Sequence, residues 1–204
     1  MNEPALHKQY LENLHRYFQR FVDIDQAAFD QVAPWFEIRK FDKKTKLVKI
    51  GDVDQYFNII IKGLVRKYLM VKKKEVTIQL STEGHMIHSE ISFNLQEPSD
   101  CIVETIENTT LLSISYANIQ MLYEKYPWTE RLGRLIITDM FIKKDFRDID
   151  QLKKSTRERF LEYMHNHPAM QQRVPQKYLA SYLNIKPETF SRLKHLLRPK
   201  KVNK

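Results

Sequence analysis

The stretch KPETFSRLK, near the end of the chain, places three hydrogen-bonding side chains on one face of a short predicted helix. Ser191 and Arg192 follow Glu188 by three and four positions, and residues at that spacing are neighbours on a helix surface. An arginine can bind guanine O6 and N7 with two hydrogen bonds, and a glutamate can accept a hydrogen bond from cytosine N4. These three residues are therefore candidate readers of DNA bases. The alternative is that Glu188 and Arg192 form only a surface ion pair, which would contribute about 0.3–0.5 kcal/mol.

Side chains that can bind phosphate oxygens surround this face. From Val174 to Lys204 the chain has eight lysines and arginines and one acidic residue, Glu188, so most of the net charge of +9 lies in this segment. Such a surplus favours nucleic acid or an anionic membrane as the partner. A solvated basic tail is the simpler explanation, but here the charge lies on the predicted helical pair itself. The N-terminus of a helix also attracts anions. The candidate phosphate contacts are Gln176, Lys186, Thr189 and Lys194.

The elements that must position these side chains are two short amphipathic helices joined by a tight turn. Pro175 suits the first turn of one helix, and Pro187 suits the first turn of the next. Ala180 is small enough for another helix to approach closely, and Asn184 tolerates the left-handed backbone of a sharp turn. This combination is typical of a helix-turn-helix. The residues expected to face its core are Leu179, Tyr182, Leu183, Ile185, Phe190, Leu193 and Leu197.

The sequence before this pair indicates a β-domain preceded by helices. Helical periodicity covers Leu6 to Val22, and Asp25 is a candidate cap for a second helix at Gln26–Val32. From Phe36 to Ser115, seven or eight short segments rich in β-branched and aromatic residues alternate with turn residues. This spacing predicts a β-sandwich or a barrel-like roll. Three of the four glycines fall between the predicted strands, at Gly51, Gly63 and Gly84.

A long helix is predicted to start at Pro127, and its apolar stripe is broader than one neighbour requires. The stripe therefore favours a second partner, such as the same helix of another subunit, over packing on the chain's own β-domain alone. Its members are Leu132, Leu135, Ile136, Met140, Ile142, Phe146, Ile149 and Leu152. Ser155 and Glu158 have the spacing of a capping box at the start of the next helix.

Composition restricts the class of protein. The chain has 204 residues, of which 42% are hydrophobic, so it can form a packed core. Its one cysteine, Cys101, excludes a disulfide within the chain and a four-cysteine iron–sulfur cluster within one subunit. No apolar run approaches the roughly 18 residues of a membrane span, and the N-terminus has no apolar signal core. We therefore expect a cytoplasmic protein with no membrane partner.

Catalytic and metal-binding motifs are not found in the sequence. It contains no G-x-S-x-G, P-loop or H-E-x-x-H pattern. His85 and His88 are three positions apart, but no cysteine completes a zinc site, so we interpret both as polar surface histidines. Cys101 is interpreted as a small apolar strand residue. The sequence thus predicts no catalytic residue, no metal ligand and no enzymatic activity.

The order of a β-roll, a long helix and a terminal helix-turn-helix resembles the Crp/Fnr family of bacterial transcription regulators. The strongest segment is LASYLNIKPETFSRLK, because its E-T-x-x-R element looks like the family's recognition-helix signature. The Glu and Arg of that signature read bases, and they match Glu188 and Arg192. The segments IGDVDQYFNIIIKG and CIVETIENTTLLSIS are similar to parts of the family's roll.

This resemblance implies an α+β fold with three parts. A cyclic-nucleotide-binding-like β-roll with N-terminal helices would occupy residues 1–118, a connecting or dimerisation helix 119–152, and a helix-turn-helix domain 153–204. The resemblance also implies a homodimer that binds a pseudo-palindromic site on double-stranded DNA, with half-sites about 34 Å apart. RNA polymerase is a further partner that such a regulator would contact. The expected dimer contacts on the long helix are Leu132, Leu135, Ile136, Ile142 and Ile149.

The expected effector pocket departs from the pattern that family members use for cyclic nucleotides. Their phosphate cassette reads roughly G-E-x-x and then, about ten residues after the Glu, R-S or R-T, whereas this chain has HSEISFNLQEPSDCIVE. Glu90 matches the Glu that meets the ribose, but Asp100 stands where an Arg would bind the phosphate. A carboxylate repels a phosphate, so cyclic AMP binding is disfavoured. The candidate pocket residues are Ser89, which replaces the Gly, then Glu90, Ile91, Ser99, Asp100 and Cys101, which replaces the Ser or Thr.

A second departure lies at the end of the chain. Many family members follow the recognition helix with a β-hairpin wing, whereas only RPKKVNK follows Leu197 here. Such a tail suits loose phosphate contact. We expect a regulator with no haem, no iron–sulfur cluster and no cyclic nucleotide, and with an unknown small-molecule effector or none. The alternative is a ligand-binding or protein-interaction module whose helix-turn-helix no longer reads DNA.

Overall fold

The N-terminal part of the protein is helical. The computed structural model describes residues 3–197, with side chains from residue 8 onwards. Helix α1 (Glu3–Phe18) and helix α2 (Gln26–Val32) precede a 3₁₀ turn at Ala33–Trp35. The Asp25 carboxylate accepts a hydrogen bond from Ala28 N at 2.8 Å, which confirms the predicted cap. Helix α1 ends four residues before the predicted Val22, because the backbone tightens into i→i+3 hydrogen bonds after Phe18.

Two four-stranded antiparallel sheets form the predicted β-roll. One sheet has the strand order β1-β8-β3-β6 and the other the order β2-β7-β4-β5. Their inner faces enclose a core that includes Val48, Ile60, Val65 and Leu111. The strands are β1 (Glu37–Phe41), β2 (Lys46–Val48), β3 (Tyr56–Lys62), β4 (Val65–Val71), β5 (Lys74–Ser81), β6 (Met86–Ile87), β7 (Cys101–Thr105) and β8 (Thr109–Ser115).

One turn of the roll requires glycine for two reasons. Gly63, between β3 and β4, has φ +111°, a backbone conformation that other residues rarely adopt. A Cβ atom at this position would also lie 2.6 Å from Thr109 Oγ1 and 2.8 Å from the Asn108 carbonyl oxygen. The prediction of a glycine turn is therefore confirmed here, and a close backbone approach adds to it.

Helices cover the outer face of the first sheet. The short helix α3 (Glu90–Leu95) joins β6 to β7, and α4 (Tyr116–Lys125) and α5 (Pro127–Lys153) follow β8. Pro127 begins α5 as predicted. Residues of α1, α2, α4 and α5 pack with the outward-facing side chains of β3 and β8 in one apolar cluster. None of the described helices is long and apolar enough to cross a membrane.

The last fifth of the described chain consists of short helices. They are α6 (Thr156–Asn166), α7 (Met170–Arg173), α8 (Gln176–Tyr182) and α9 (Pro187–Leu193), followed by a 3₁₀ turn at Lys194–Leu197. The capping box of Ser155 and Glu158 is confirmed. These helices share a core with Leu64 and Ile106 of the roll. The predicted boundaries at 118 and 152 stay predictions, and the basic tail after Leu197 lies outside the described residues.

Candidate nucleic-acid interface and roll pocket

The terminal helical pair, defined as α8, α9 and the turn between them, is a compact unit. Asn184 adopts φ +55° in the turn, as predicted from its tolerance of the left-handed region. The amide of Ile185 donates to the Ala180 carbonyl at 3.0 Å, which closes the end of α8. Ala180 is fully buried, and Phe190 of α9 packs edge-on against Phe160 of α6 at a centroid distance of 5.1 Å. This packing fixes the orientation of α9.

The outward face of α9 carries the three predicted base readers. Glu188, Ser191 and Arg192 are all exposed, and the Gln176 amide donates to Ser191 Oγ at 2.6 Å. Among the described side chains, no ion pair joins Glu188 to Arg192. The arginine head group is thus available to a partner molecule. Of the predicted phosphate contacts, Lys186 is exposed, and Gln176, Thr189 and Lys194 are half-buried around the same helix.

The other side of α8 is docked on the roll. The Thr77 amide of β5 donates to Ser181 Oγ at 2.9 Å. The guanidinium of Arg66, in β4, lies 3.7 Å from the ring centroid of Tyr178, and it also forms ion pairs with Glu75 and Glu104 at 2.7 and 2.6 Å. The hairpin of β4 and β5 is exposed at its tip, whereas Arg66 at its base is only 2% exposed.

A second arginine joins the helices to the roll. Arg173, at the end of α7, forms ion pairs with Glu83 at 2.8 Å and Glu107 at 2.7 Å, and it donates to the Gly63 carbonyl at 3.1 Å. Burial raises the pKa of Glu83, but hydrogen bonds from Arg173 and from the backbone amides of Glu83 and Gly63, together with the charge of Arg173, outweigh burial and hold this pKa at about 2. Sequence reasoning missed this contact, because its partners are 66 to 110 positions away from Arg173.

Three of the predicted pocket residues meet inside the roll. Ser89 Oγ lies 2.9 Å from Ser99 Oγ and 3.2 Å from Cys101 Sγ, and all three residues are buried. The buried carboxylate of Asp54 accepts hydrogen bonds from the amides of Ser89 and Tyr56 at 2.7 and 3.1 Å. Ser89 is thus held through both its side chain and its backbone. Cys101 occupies a buried strand position, as predicted.

The remaining pocket residues lie elsewhere. Ile91 and Asp100 are exposed, so the Asp100 carboxylate does not face the cluster of Ser89, Ser99 and Cys101. Glu90 forms an ion pair with Lys67 of β4, and Lys67 also donates to the His88 carbonyl at 3.2 Å. Lys67 is a buried cation beside the cassette that sequence reasoning missed, because β4 is 23 positions away from Glu90.

His88 corrects another sequence interpretation. We expected a surface histidine, but His88 is only 3% exposed and packs against Phe57 and Phe93 at centroid distances of 4.8 and 5.3 Å. Burial lowers the pKa of His88 to about 4, so the imidazole is neutral at pH 7. His85 is exposed as expected. The difference arises because Met86 and His88 point to the helices that cover the sheet.

The predicted dimer contacts on α5 differ in how far they are buried. Leu132 and Ile136 are buried in the chain's own core, and Leu135 and Ile149 are half-buried. Ile142 is exposed. Further large apolar side chains on α5 are exposed as well, namely Ile137, Phe141, Phe146 and Leu152. The helix therefore packs on its own roll with its N-terminal part and presents apolar surface mainly from its C-terminal part.

Comparison with known proteins supports the architecture. Residues 38–126 match the family model described as cyclic nucleotide-binding domain, and no curated protein matches the chain. The fold is similar to that of the c-di-GMP responsive global regulator CLP of Xanthomonas campestris, with a TM-score of 0.65, 15% identity, and coverage of 85% of this chain and 91% of that chain. FixK2 from Bradyrhizobium japonicum gives a TM-score of 0.63, 15% identity and coverage of 79% and 84%. Thermus thermophilus catabolite activator protein gives a TM-score of 0.50, 19% identity, and coverage of 87% of this chain and 85% of that chain.

Proposed function

Residues 38–126 match the cyclic nucleotide-binding domain family, and from this premise we propose that the chain is a DNA-binding transcription regulator of the Crp/Fnr type. The observation that carries the proposal is the outward face of α9. Glu188, Ser191 and Arg192 are exposed there, while α8 docks on the roll through its other side. A side chain that is exposed on a rigid helix can enter the major groove and reach base edges.

Homodimer formation is the second part of the proposal. A helix-turn-helix protein reads a pseudo-palindromic site with two recognition helices, and the exposed apolar side chains of α5 supply a surface on which a second copy can pack. Arg66 and Arg173 join the roll to the terminal helices. The roll and the long helix together would therefore set the spacing of the two α9 helices. We further propose RNA polymerase as a partner, which applies if the chain activates transcription.

We also propose that the roll does not respond to cyclic AMP. The Glu90 carboxylate, which would meet a ribose, is already paired with the Lys67 ammonium, and Ser89 Oγ is already bonded to Ser99 Oγ. A ligand would have to break both interactions, and each broken contact lowers its affinity. Titration calorimetry of the full chain with cyclic AMP should show no binding heat. A saturable heat with a micromolar Kd would contradict this part of the proposal.

The DNA-binding proposal is tested by selecting a binding site from random duplexes and measuring affinity by fluorescence anisotropy at several salt concentrations. Arg192→Ala should weaken specific binding by about 1–3 kcal/mol and relax the preference at one base position. Lys49→Ala, which removes one exposed positive charge from the roll, is the matched control and should leave the base preference unchanged. If no duplex is enriched, the chain is instead a ligand-binding or protein-interaction module.

A further inference from the structure

A cavity lies outside the roll, between the first sheet and the helices that cover it. Its volume is about 190 Å³, and its lining is mostly apolar side chains of α1, α2, β3, α4 and α5. Representative residues are Phe57, Ile59, Ile119, Leu132 and Ile136. A cavity of about 150 Å³ lined by aliphatic and aromatic side chains is known to accept one benzene ring, so this cavity has room for a ring with a small substituent.

One buried polar atom in this wall has no partner. His88 lines the cavity, is 3% exposed, and its Nδ1 has no hydrogen-bond partner among the described residues. A buried polar group without a partner is costly, and native proteins seldom leave one unless a ligand, an ion or a water completes it. The imidazole is neutral at pH 7, so it can accept or donate one hydrogen bond according to its tautomer.

The cavity is separate from the cassette inside the roll. His88 and Ser89 directly follow β6, and their contacts place them on opposite sides of the first sheet. Consistent with this, Ser89 contacts Ser99 and Cys101, whereas His88 packs against Phe57 and Phe93. Ligand binding at one face therefore does not require the other face to be occupied.

We propose that this cavity binds a small aromatic molecule that carries one hydroxyl group, with the hydroxyl bonded to the His88 imidazole. The ring matches the volume and the apolar lining, and a hydroxyl can either donate to or accept from a neutral imidazole, whichever tautomer is present. A charged group is excluded by the apolar surroundings. Leu132, Gly133 and Ile136 of α5 form part of the wall, so the occupant contacts the long helix directly. Binding at this cavity does not require that the chain binds DNA.

The test uses two probes of similar shape, phenol and toluene, and measures their Kd for the full chain by ligand-observed NMR titration. Wild type should bind both probes. His88→Phe keeps an aromatic ring at this position but removes the hydrogen bond, so it should weaken phenol binding about fivefold and leave toluene binding within twofold. Ile119→Phe places extra volume in the cavity and should weaken both probes.

Ser99→Ala is the matched control, because it alters the cassette on the opposite face of the sheet and should change neither Kd. Two results would overturn the proposal. One is the failure of both probes to bind wild type. The other is phenol binding that is unchanged in His88→Phe, which would place the probe away from the imidazole.

Discussion

The guanidinium of Arg66 lies between the rings of Tyr68 and Tyr178, 3.9 and 3.7 Å from their centroids, and joins the roll to the terminal helical pair. Arg66 is fully buried, and two carboxylates neutralise its charge, those of Glu75 and Glu104. A buried cation is tolerated only when it is paired in this way. The contact attaches α8 to β4 of the roll, and α9 follows α8 directly in the chain.

Arg66→Met should therefore destabilise the protein and loosen the terminal pair. The change leaves the Glu104 carboxylate, whose side chain is 14% exposed, without its cation, so we expect a loss of about 3 kcal/mol in the free energy of unfolding by urea denaturation. Arg39→Met, which removes a half-buried arginine that stacks on Tyr56, should cost clearly less. Equal losses in the two variants would show that the ion pairs of Arg66 contribute nothing beyond stacking.

Arg173→Gln should make the chain between the roll and the terminal helical pair more sensitive to protease. It should also remove the part of the pH dependence of stability that comes from Glu83. Glu83 has a lowered pKa in the folded state, so its contribution is fully present above its ordinary pKa of 4.5 and is lost as pH falls towards about 2. The contribution is modest, because the Glu83 side chain is 42% exposed and water screens the pair. Limited trypsin digestion at pH 7 should cleave between the roll and the terminal pair faster in the variant than in wild type. Cleavage at an unchanged rate would argue against a docking role for Arg173.

In the ion pair of Lys67 and Glu90, substitution of the glutamate should reduce stability more than substitution of the lysine. Lys67 keeps 5% of its side chain exposed and Glu90 keeps 43%, so water can solvate the carboxylate far better than the ammonium. Glu90→Gln leaves a buried cation without its carboxylate and should lower the free energy of unfolding by about 2 kcal/mol. Lys67→Met should lower it by less than about 1 kcal/mol, because water can solvate the remaining carboxylate. Urea unfolding of both variants and of the double variant measures the coupling. A larger loss in Lys67→Met than in Glu90→Gln would contradict this order.

Burial of His88 predicts a stability that depends on pH. The folded pKa of about 4 lies below the ordinary value of 6.5, so the unfolded chain binds the proton more readily and stability falls as pH decreases from 6.5 to 4. Each unit of pKa difference corresponds to about 1.4 kcal/mol, so this one group should remove about 2 kcal/mol between pH 7 and pH 5. His88→Phe should lose that part of the dependence. Parallel curves of unfolding free energy against pH for the two proteins would show that His88 is not neutral in the fold.

The features that could be predicted from the sequence are mostly local. The cap at Asp25 and the capping box at Ser155 depend on residues three positions apart, and both are present. The features that were missed depend on which strands become neighbours. Lys67 meets Glu90, and His88 becomes buried, only because the register of the sheets and the covering helices bring distant segments together. Periodicity assigns a residue to a face but does not say what covers that face.

The exposed apolar side chains of α5 predict self-association through its C-terminal part. Phe141 and Phe146 are each 66% exposed on a 27-residue helix about 40 Å long, and such side chains cluster on a soluble surface mainly where another chain packs. Phe141→Lys combined with Phe146→Lys should convert a dimer into a monomer in sedimentation velocity at micromolar concentration, while the circular dichroism of the fold is retained. Ile50→Lys combined with Ile91→Lys makes the same charge change on exposed positions of the roll and should leave the dimer intact. A wild-type protein that sediments as a monomer, or a double phenylalanine variant that remains dimeric, would exclude this surface as the dimer interface.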